Sequence, residues 1–327
     1  MDAETVNWRK METVKHMPKV SVCVVTYNPD KGKLMETLES IVKQKYDNLQ
    51  IILSDDGSKE NFFDEVKTLL DSVEFTDYQL LPAAENQGTV KNVEKALLAS
   101  DGVYIKTISP GDCLTGDTIL ADWVSHLVSS GRRWSFSDAI YYTRTEDNQR
   151  MVRPQMTHPQ IVDCYVEHDD DACRWNYIVH KDLALGAALL CERELMLSYL
   201  QQITGKVIYA EDNIFRMMMY HGIVPDYFPE EAVLYEFGFG VSTNGSMVWS
   251  QRIQADWEAT DNIMLEEGPS EDPLQQKLFV SLQRKNQKNR LLRKLERYAE
   301  KGSIRMIMRR RFHRRMSRGD GGEASCR

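Results

Sequence analysis

The chain is poor in the features that would place it in several large protein classes. No run approaches the ~18 consecutive apolar residues that a membrane-spanning helix needs. The first residues, Met1–Pro18, are polar and mixed in charge and lack an apolar signal-peptide core. Six cysteines are scattered without a CxxC pair, which argues against a disulfide scaffold or a zinc module and fits a reducing, cytoplasmic setting. No GxGxxG follows the first predicted strand and no GxxxxGK[ST] occurs, so a dinucleotide-dependent dehydrogenase and a P-loop NTPase are both disfavoured. Hydrophobic residues at 42% and charged residues at 28% exclude a wholly disordered or fibrous chain.

The net charge of −8 over 327 residues hides an asymmetry. Between Lys277 and Arg318 stand sixteen Lys or Arg and only two acids, Glu296 and Glu300. The rest of the chain therefore carries roughly −22. The acidic body is a poor candidate for nucleic-acid binding. The basic stretch also carries Leu291, Leu292, Leu295, Ile304, Met306, Ile307, Met308 and Phe312, and so reads as an amphipathic basic helix. Such a helix suits an anionic lipid surface; packing on the acidic body, a dimerisation arm and RNA binding are the alternatives.

Periodicity in the first third alternates between strand and helix. Short β-branched runs at Val20–Thr26, Leu49–Leu53, Tyr78–Leu81 and Val103–Ile108 read as strands. Apolar residues at helical spacing lie between them: Leu34, Leu38 and Ile41, then Val66, Leu69 and Leu70, then Val90, Val93 and Leu97. This order predicts an α/β fold with a doubly wound, mostly parallel sheet flanked by helices. Further along, Trp134–Tyr142 reads as a strand, Arg144–Asp171 as loop, and the methionines of Asn213–Tyr220 as core packing. Glu258–Pro273 has several acids and two prolines and reads as linker. The expected organisation is an N-terminal extension over 1–17, a main domain over 18–257, a linker over 258–276 and a basic helical region over 277–327.

In an open α/β sheet, ligands bind beyond the carboxyl ends of the strands. Polar clusters sit there: Thr26-Tyr27-Asn28, Asp55-Asp56-Gly57-Ser58 and Ser109-Pro110-Gly111-Asp112. Two adjacent acids ending a buried strand either accept hydrogen bonds from a ligand, such as a ribose hydroxyl or a base N–H, or form an Asx turn.

Val20–Asn28 (VSVCVVTYN), Ile51–Ser58 (IILSDDGS), Asn86–Asn92 (NQGTVKN), Val103–Asp112 (VYIKTISPGD) and Glu211-Asp212 come in an order and spacing that resembles the inverting glycosyltransferases of family 2. The resemblance covers about Pro18–Gly222. It implies a GT-A fold, a nucleotide-sugar donor and transfer to a hydroxyl acceptor, here a surface polysaccharide or lipid-linked glycan at the inner face of the membrane. Carried over residue by residue, it implies that Thr26, Tyr27 and Asn28 wrap the nucleotide and that Asp55 and Asp56 are the family's acidic pair. Lys91 stands where the family commonly has Arg, at a base or phosphate contact. Asp212 becomes the general base, with Glu211 beside it; a helix N-terminus favouring acids is the plain alternative for both.

One departure stands out. The family usually ends its fourth strand with Asp-x-Asp or Asp-x-Asp-Asp, which holds a divalent metal. Here Ser109-Pro110-Gly111-Asp112 retains only the last acid. The resemblance implies Asp112 as the ligand of Mg²⁺ or Mn²⁺, with a turn residue or a helix N-cap before Leu114–Leu120 as the simpler alternative. Tyr235–Ser246 has the small residues of a phosphate-covering lid, with an ordinary surface loop as the alternative, and His180 and Trp175 fall where the family builds acceptor pockets, with plain packing residues as the alternative. A homo-oligomer is compatible with this reading. The competing reading is a non-catalytic nucleotide-sugar or glycan-binding subunit whose metal motif has decayed.

Overall fold

A computed structural model describes residues 17–238 and 247–287. Its centre is a nine-stranded sheet with the order β3-β2-β1-β4-β8-β6-β9-β5, and β7 paired to β6. The strands are β1 Val20–Thr26, β2 Leu49–Asp55, β3 Tyr78–Leu81, β4 Tyr104–Ile108, β5 Cys113–Leu114, β6 Trp134–Arg144, β7 Arg150–Val152, β8 Leu189–Glu192 and β9 Asp226–Glu236. Strands β1 to β4 are mutually parallel, β8 runs against β4, and β6 and β9 resume the first direction. Only β5, β7 and β8 run the other way, so the mostly parallel sheet expected from the sequence is present.

Each crossover is made by a helix whose apolar stripe faces the sheet. Helix α1, Lys31–Val42, is N-capped by Asp30, whose side chain accepts from Lys33 N, and it buries Leu34, Leu38 and Ile41. Helix α2 is Phe63–Ser72, α3 is Thr89–Ala99 and α4 is Ile119–Ser130. One core, with Val20, Val22, Val24, Leu34 and Trp123, lies on the α1/α4 face; the other, with Cys23, Ile52, Val93 and Ala96, lies on the α3 face. Alternate residues of β1 feed opposite cores, which is why that strand is a continuous apolar run.

The middle of the chain is less loop-like than its composition suggests. Within Arg144–Asp171 lie β7, the short helix α5 (Asp163–Val166) and the start of α6 (Asp170–Trp175). Helix α7 is Arg193–Ile203 and α8 is Asn213–Tyr220, with Met217, Met218 and Met219 fully buried as core.

The expected linker is not one. Helix α9 runs from Met247 to Glu267 and α10 from Pro273 to Gln287, with a break only between them. Asp256, Thr260, Asp261, Ile263 and Met264 give α9 a buried stripe. Leu278 and Leu282 of α10 join the α3-face core. The acids that suggested a linker are good helix formers, and Pro273 sits at the first position of α10, where a missing N–H costs nothing. A boundary at 257/258 would fall inside α9. Residues 1–16, most of the expected lid (239–246) and most of the basic stretch (288–327) lie outside the described residues.

Candidate active site

The carboxyl ends of β2, β1 and β4 are neighbours, with Thr26 in register with Asp55 and Val24 in register with Ile108. The polar clusters predicted to bind ligand therefore share one edge of the sheet. The first two are tied together by hydrogen bonds that the sequence did not specify, and the third is tied to α1 and β9.

Asp55 is buried and turned inward. Its Oδ1 accepts from Thr26 Oγ1 at 3.0 Å and also from Ser58 Oγ, and its Oδ2 accepts from Ser58 N at 2.9 Å. The Asx-turn alternative therefore describes Asp55 in this structure. Asp56 reaches across to the NQG segment: Oδ1 accepts from Gln87 N and Oδ2 from Gly88 N, each at 2.9 Å. Gly57, at φ +76°, makes this approach feasible, since a Cβ there would stand 2.6 Å from the carbonyl carbon of Glu85. Asn92 bridges the ends of β1 and β2 by donating to Thr26 O and Ser54 O. Asn28, at φ +46°, accepts from Lys59 N and so closes the first loop onto the second, while Tyr27 is 55% exposed at the rim. Lys91 is exposed on α3, in an open groove shared with Leu81, Gln87, Lys95 and Leu98. Lys95 bridges Asp55 O and Leu81 O beneath it.

Asp112 caps no helix, because α4 begins only at Ile119. Its buried side chain turns to β9, where Oδ1 accepts from Glu236 N at 3.0 Å. Thr37 of α1 holds the same turn by donating to Asp112 O and accepting from Gly111 N. Burial raises the Asp112 carboxyl to about 7, against the pull of the Glu236 N–H and of Lys106. Lys106 is fully buried on β4, donates to Thr107 O and Ala187 O, and is lowered by burial to about 7. Around Asp112 stands a charged network. Lys33 donates to Glu236 Oε1 at 2.8 Å, Arg144 Nε lies 3.3 Å from the same oxygen, and Glu36 pairs with Arg144 and Arg150. Glu236 Oε2 is buried without a hydrogen-bond partner among the described residues.

Glu211 and Asp212 are brought to this edge by the loop after α7. Gly88 packs against it closely; a Cβ there would stand 2.7 Å from Ile208 O, and Val90 N donates to that oxygen at 3.0 Å. From the other side, Asp256 of α9 accepts from Ile208 N, Tyr209 N and Ala210 N. Asp212 occupies the N-cap position of α8 but makes no side-chain cap bond. Instead its Oδ2 lies 3.3 Å from where a Cβ on Gly186 would be, in the turn whose Ala187 O receives Lys106. Lys106 thus feels the charge of Asp112 and is held by the turn whose Gly186 packs against Asp212. Burial raises both carboxyls of the pair. Glu211 reaches about 8 because the Asp212 charge adds to burial, whereas Arg216, one turn on, opposes the rise at Asp212. Arg216 is itself fully buried, paired with Asp261 and stacked 4.5 Å from the Trp257 ring.

Trp175 packs against the α3-face core, as expected of a packing residue, and His180 ends the π-helical turn Asn176–His180. Sequence reading missed Lys106, Glu236 and Asp256. A lysine in the middle of VYIKTI was a visible anomaly; nothing local marked the two acids, whose partners are more than forty residues away. Among the described residues no group of three or more His, Cys, Asp or Glu converges as a metal site.

Comparison with known proteins agrees with this layout. Residues 21–121 match the family model described as Glycosyl transferase family 2. A curated Haemophilus influenzae protein described as an uncharacterized glycosyltransferase is 24% identical over 127 residues, which are 38% of this chain and 50% of that one. The alignment thus spans about half the length of that relative. Among solved structures, the mannosyltransferase PcManGT from Pyrobaculum calidifontis, in complex with GDP-Man and Mn²⁺, superposes with a TM-score of 0.57 at 16% identity, covering 85% of this chain and 75% of that one. Residues 1–349 of S. aureus TarS give 0.54 at 15% identity, covering 81% and 70%. Residues 21–121, whose motifs lie at the carboxyl ends of the parallel strands, are thus similar to glycosyltransferase family 2, and the fold is shared with these solved glycosyltransferases.

Proposed function

We propose that the protein is an inverting glycosyltransferase that moves a sugar from a nucleoside diphosphate sugar to a hydroxyl of a glycan acceptor. The observation that carries this reading is the convergence, on one sheet edge, of the Asp55-Asp56 turn, the Asp112 turn and the Glu211-Asp212 pair. Solved neighbours bound to UDP and to GDP-Man support a nucleotide-sugar donor.

In the proposed reaction the acceptor hydroxyl loses its proton to Asp212 as its oxygen attacks the anomeric carbon. The bond from that carbon to the diphosphate oxygen breaks on the opposite face, so configuration inverts. Arg216 favours the ionised form of Asp212, while Glu211 stays protonated up to about pH 8 and does not compete as base. Thr26, Tyr27, Asn28, Asp55 and Asp56 shape the nucleoside end, with Asp56 locking the DDGS and NQG loops together. Lys91, on the open face of α3, is assigned to phosphate or base.

At the diphosphate end Asp112 is the carboxylate that the resemblance assigns to a divalent metal, while Glu236, whose N–H donates to it, is paired with Lys33 and Arg144. Asp112 would hold Mg²⁺ or Mn²⁺ there, which supplies charge neutralisation for the leaving diphosphate.

The test is a panel of nucleotide sugars with glycan acceptors, read as nucleotide release. Asp212→Asn is expected to abolish release while a donor still raises the melting temperature. Retained turnover in that variant removes Asp212 from the mechanism. The basic stretch supports a further proposal, that the enzyme rests on an anionic membrane surface where a lipid-linked acceptor would lie. Flotation with vesicles containing anionic lipid, lost at high salt, is the expected result; flotation with neutral vesicles alone contradicts it.

A further inference from the structure

We infer that the start of α9 and the loop 208–210 form one edge that docks on an anionic lipid bilayer and holds the Glu211-Asp212 loop against it. The inference rests on the membrane proposal above and names the surface and the orientation.

Three observations carry it. First, the chain outside 277–318 carries roughly −22, yet neither 204–210 nor 247–255 contains an acid. Exposed apolar side chains stand there instead: Met247 is 77% exposed, Val248 57% and Ile208 49%. Large apolar side chains left together in solvent mark a contact surface. Second, Tyr209 and Trp249 join the two segments, with ring centroids 4.8 Å apart and the rings edge to face. The Arg252 guanidinium lies 4.8 Å from the Trp249 ring and 5.6 Å from the Tyr209 ring. It is exposed and pairs with no carboxylate among the described residues, whereas Arg132, Arg133, Arg174 and Arg216 each have one. Trp and Tyr beside an unpaired Arg suit the headgroup level of a bilayer, where the rings stay apolar on one side and wet on the other and the guanidinium meets phosphate. Third, only residues 268–272 separate α9 from α10, and Ile253 and Trp257 share one core with Leu278 and Leu282. The two helices therefore form a hairpin, and α10 ends on the side from which α9 starts. Beyond Gln287 the sequence continues with thirteen Lys or Arg and two acids up to Arg318.

The basic stretch supplies attraction and the apolar edge supplies insertion, the pair of weak signals that stable membrane anchoring takes. Asp256, one turn on from Arg252 along α9, holds the backbone of 208–210, immediately before Glu211. Docking this edge thus brings Asp212 to the headgroup level, where the hydroxyl of a lipid-linked acceptor would lie. A two-fold contact between copies through the same edge would set Lys206 and Arg252 against their own counterparts, so the charge favours the bilayer.

The test uses the full chain and vesicles of phosphatidylcholine mixed with phosphatidylglycerol, with bromine on the acyl chains to quench tryptophans that reach them. Quenching is expected, and most of it should vanish in Trp249→Phe. Met247→Glu combined with Val248→Glu is expected to weaken vesicle binding at least tenfold at an unchanged melting temperature. Should that charged pair destabilise the fold, Met247→Ser with Val248→Ser is expected to weaken binding several-fold. Quenching that survives Trp249→Phe, or vesicle binding unmoved by the 247 and 248 variants, overturns the inference and leaves the basic stretch as the sole contact. Self-association of the wild type in sedimentation, abolished by the same variants, gives the edge to a second copy and overturns it as well. None of these readouts needs turnover. Wild-type protein that binds neither UDP nor GDP in a thermal shift removes the glycosyltransferase reading, while the quenching still decides the docking edge.

Discussion

Asp212 and Glu211 are adjacent acids with different chemistry, and the difference comes from what each faces. Arg216 stabilises the ionised form of Asp212, whereas Glu211 is raised by burial and by the charges of Asp212 and Asp256, against one backbone hydrogen bond. At neutral pH Glu211 is therefore protonated, and glutamine imitates it. Glu211→Gln is expected to keep activity within about threefold at pH 7, whereas Asp212→Asn loses about 10²–10⁴-fold. Initial rates from pH 6 to 9 check this; any change in wild-type rate that tracks ionisation of Glu211 above pH 8 should be absent from the glutamine variant. Gly57 offers a second residue-scale prediction. Its φ of +76° and the 2.6 Å separation between a built Cβ and Glu85 leave no room for a methyl group. Gly57→Ala should destabilise by ~1–3 kcal/mol, measured by denaturant midpoint, through left-handed strain and backbone displacement.

At the scale of elements, α9 is what presents the proposed catalytic pair, Glu211 and Asp212. Asp256 takes three consecutive backbone N–H groups of the loop 208–210, immediately before Glu211. Asp256→Ala leaves those donors without their acceptor and is expected to cost ~2–4 kcal/mol. Because the loop positions Asp212, kcat should fall at least tenfold, even below the melting temperature of the variant. Asp256→Asn, which keeps one acceptor oxygen, should fall between the two in both thermal melting and turnover. The role of α9 was not legible in its own sequence. Its acids and the two prolines beyond it read as a linker, because its stripe of Thr260, Asp261, Ile263 and Met264 is half polar. Asp261 is buried against Arg216, on an element remote in sequence, and Thr260 donates to Asp256 O one turn back.

Across the whole molecule, buried titratable groups give stability a defined pH dependence. Glu211 and Asp112 have folded pKa values raised to about 8 and about 7, so the native state binds their protons more tightly than the unfolded chain. Their contribution is full below the unfolded values and is lost as pH rises through the folded ones, so stability should fall between about pH 4.5 and 8. Lys106 acts in the opposite sense. Lowered to about 7, it leaves the unfolded chain holding more protons up to 10.5, so its contribution grows as pH rises through that window. Denaturant midpoints should therefore fall toward pH 7–8 and recover only up to about pH 9, above which the raised Cys23, Cys113 and Cys191 thiols oppose the gain from Lys106. Glu211→Gln should flatten the acid-side fall and leave the alkaline rise.

The β-branched strands and amphipathic helices of residues 18–130 determined the parallel β1–β4 part of the sheet by themselves, because periods of 2 and 3.6 are written in neighbouring residues. The same holds for the turns at DDGS and NQG, whose glycines mark close backbone approach. What only the tertiary structure decided is which acids meet. Asp56 closes on Gln87 and Gly88, Asp256 on the loop before Glu211, and Glu236 on the turn at Gly111. A carboxylate carries no sign of its partner in its own sequence neighbourhood. The partner is chosen by the packing of strands and helices that lie far apart along the chain, and this packing also turned Asp55 inward and left one oxygen of Glu236 buried and unmatched.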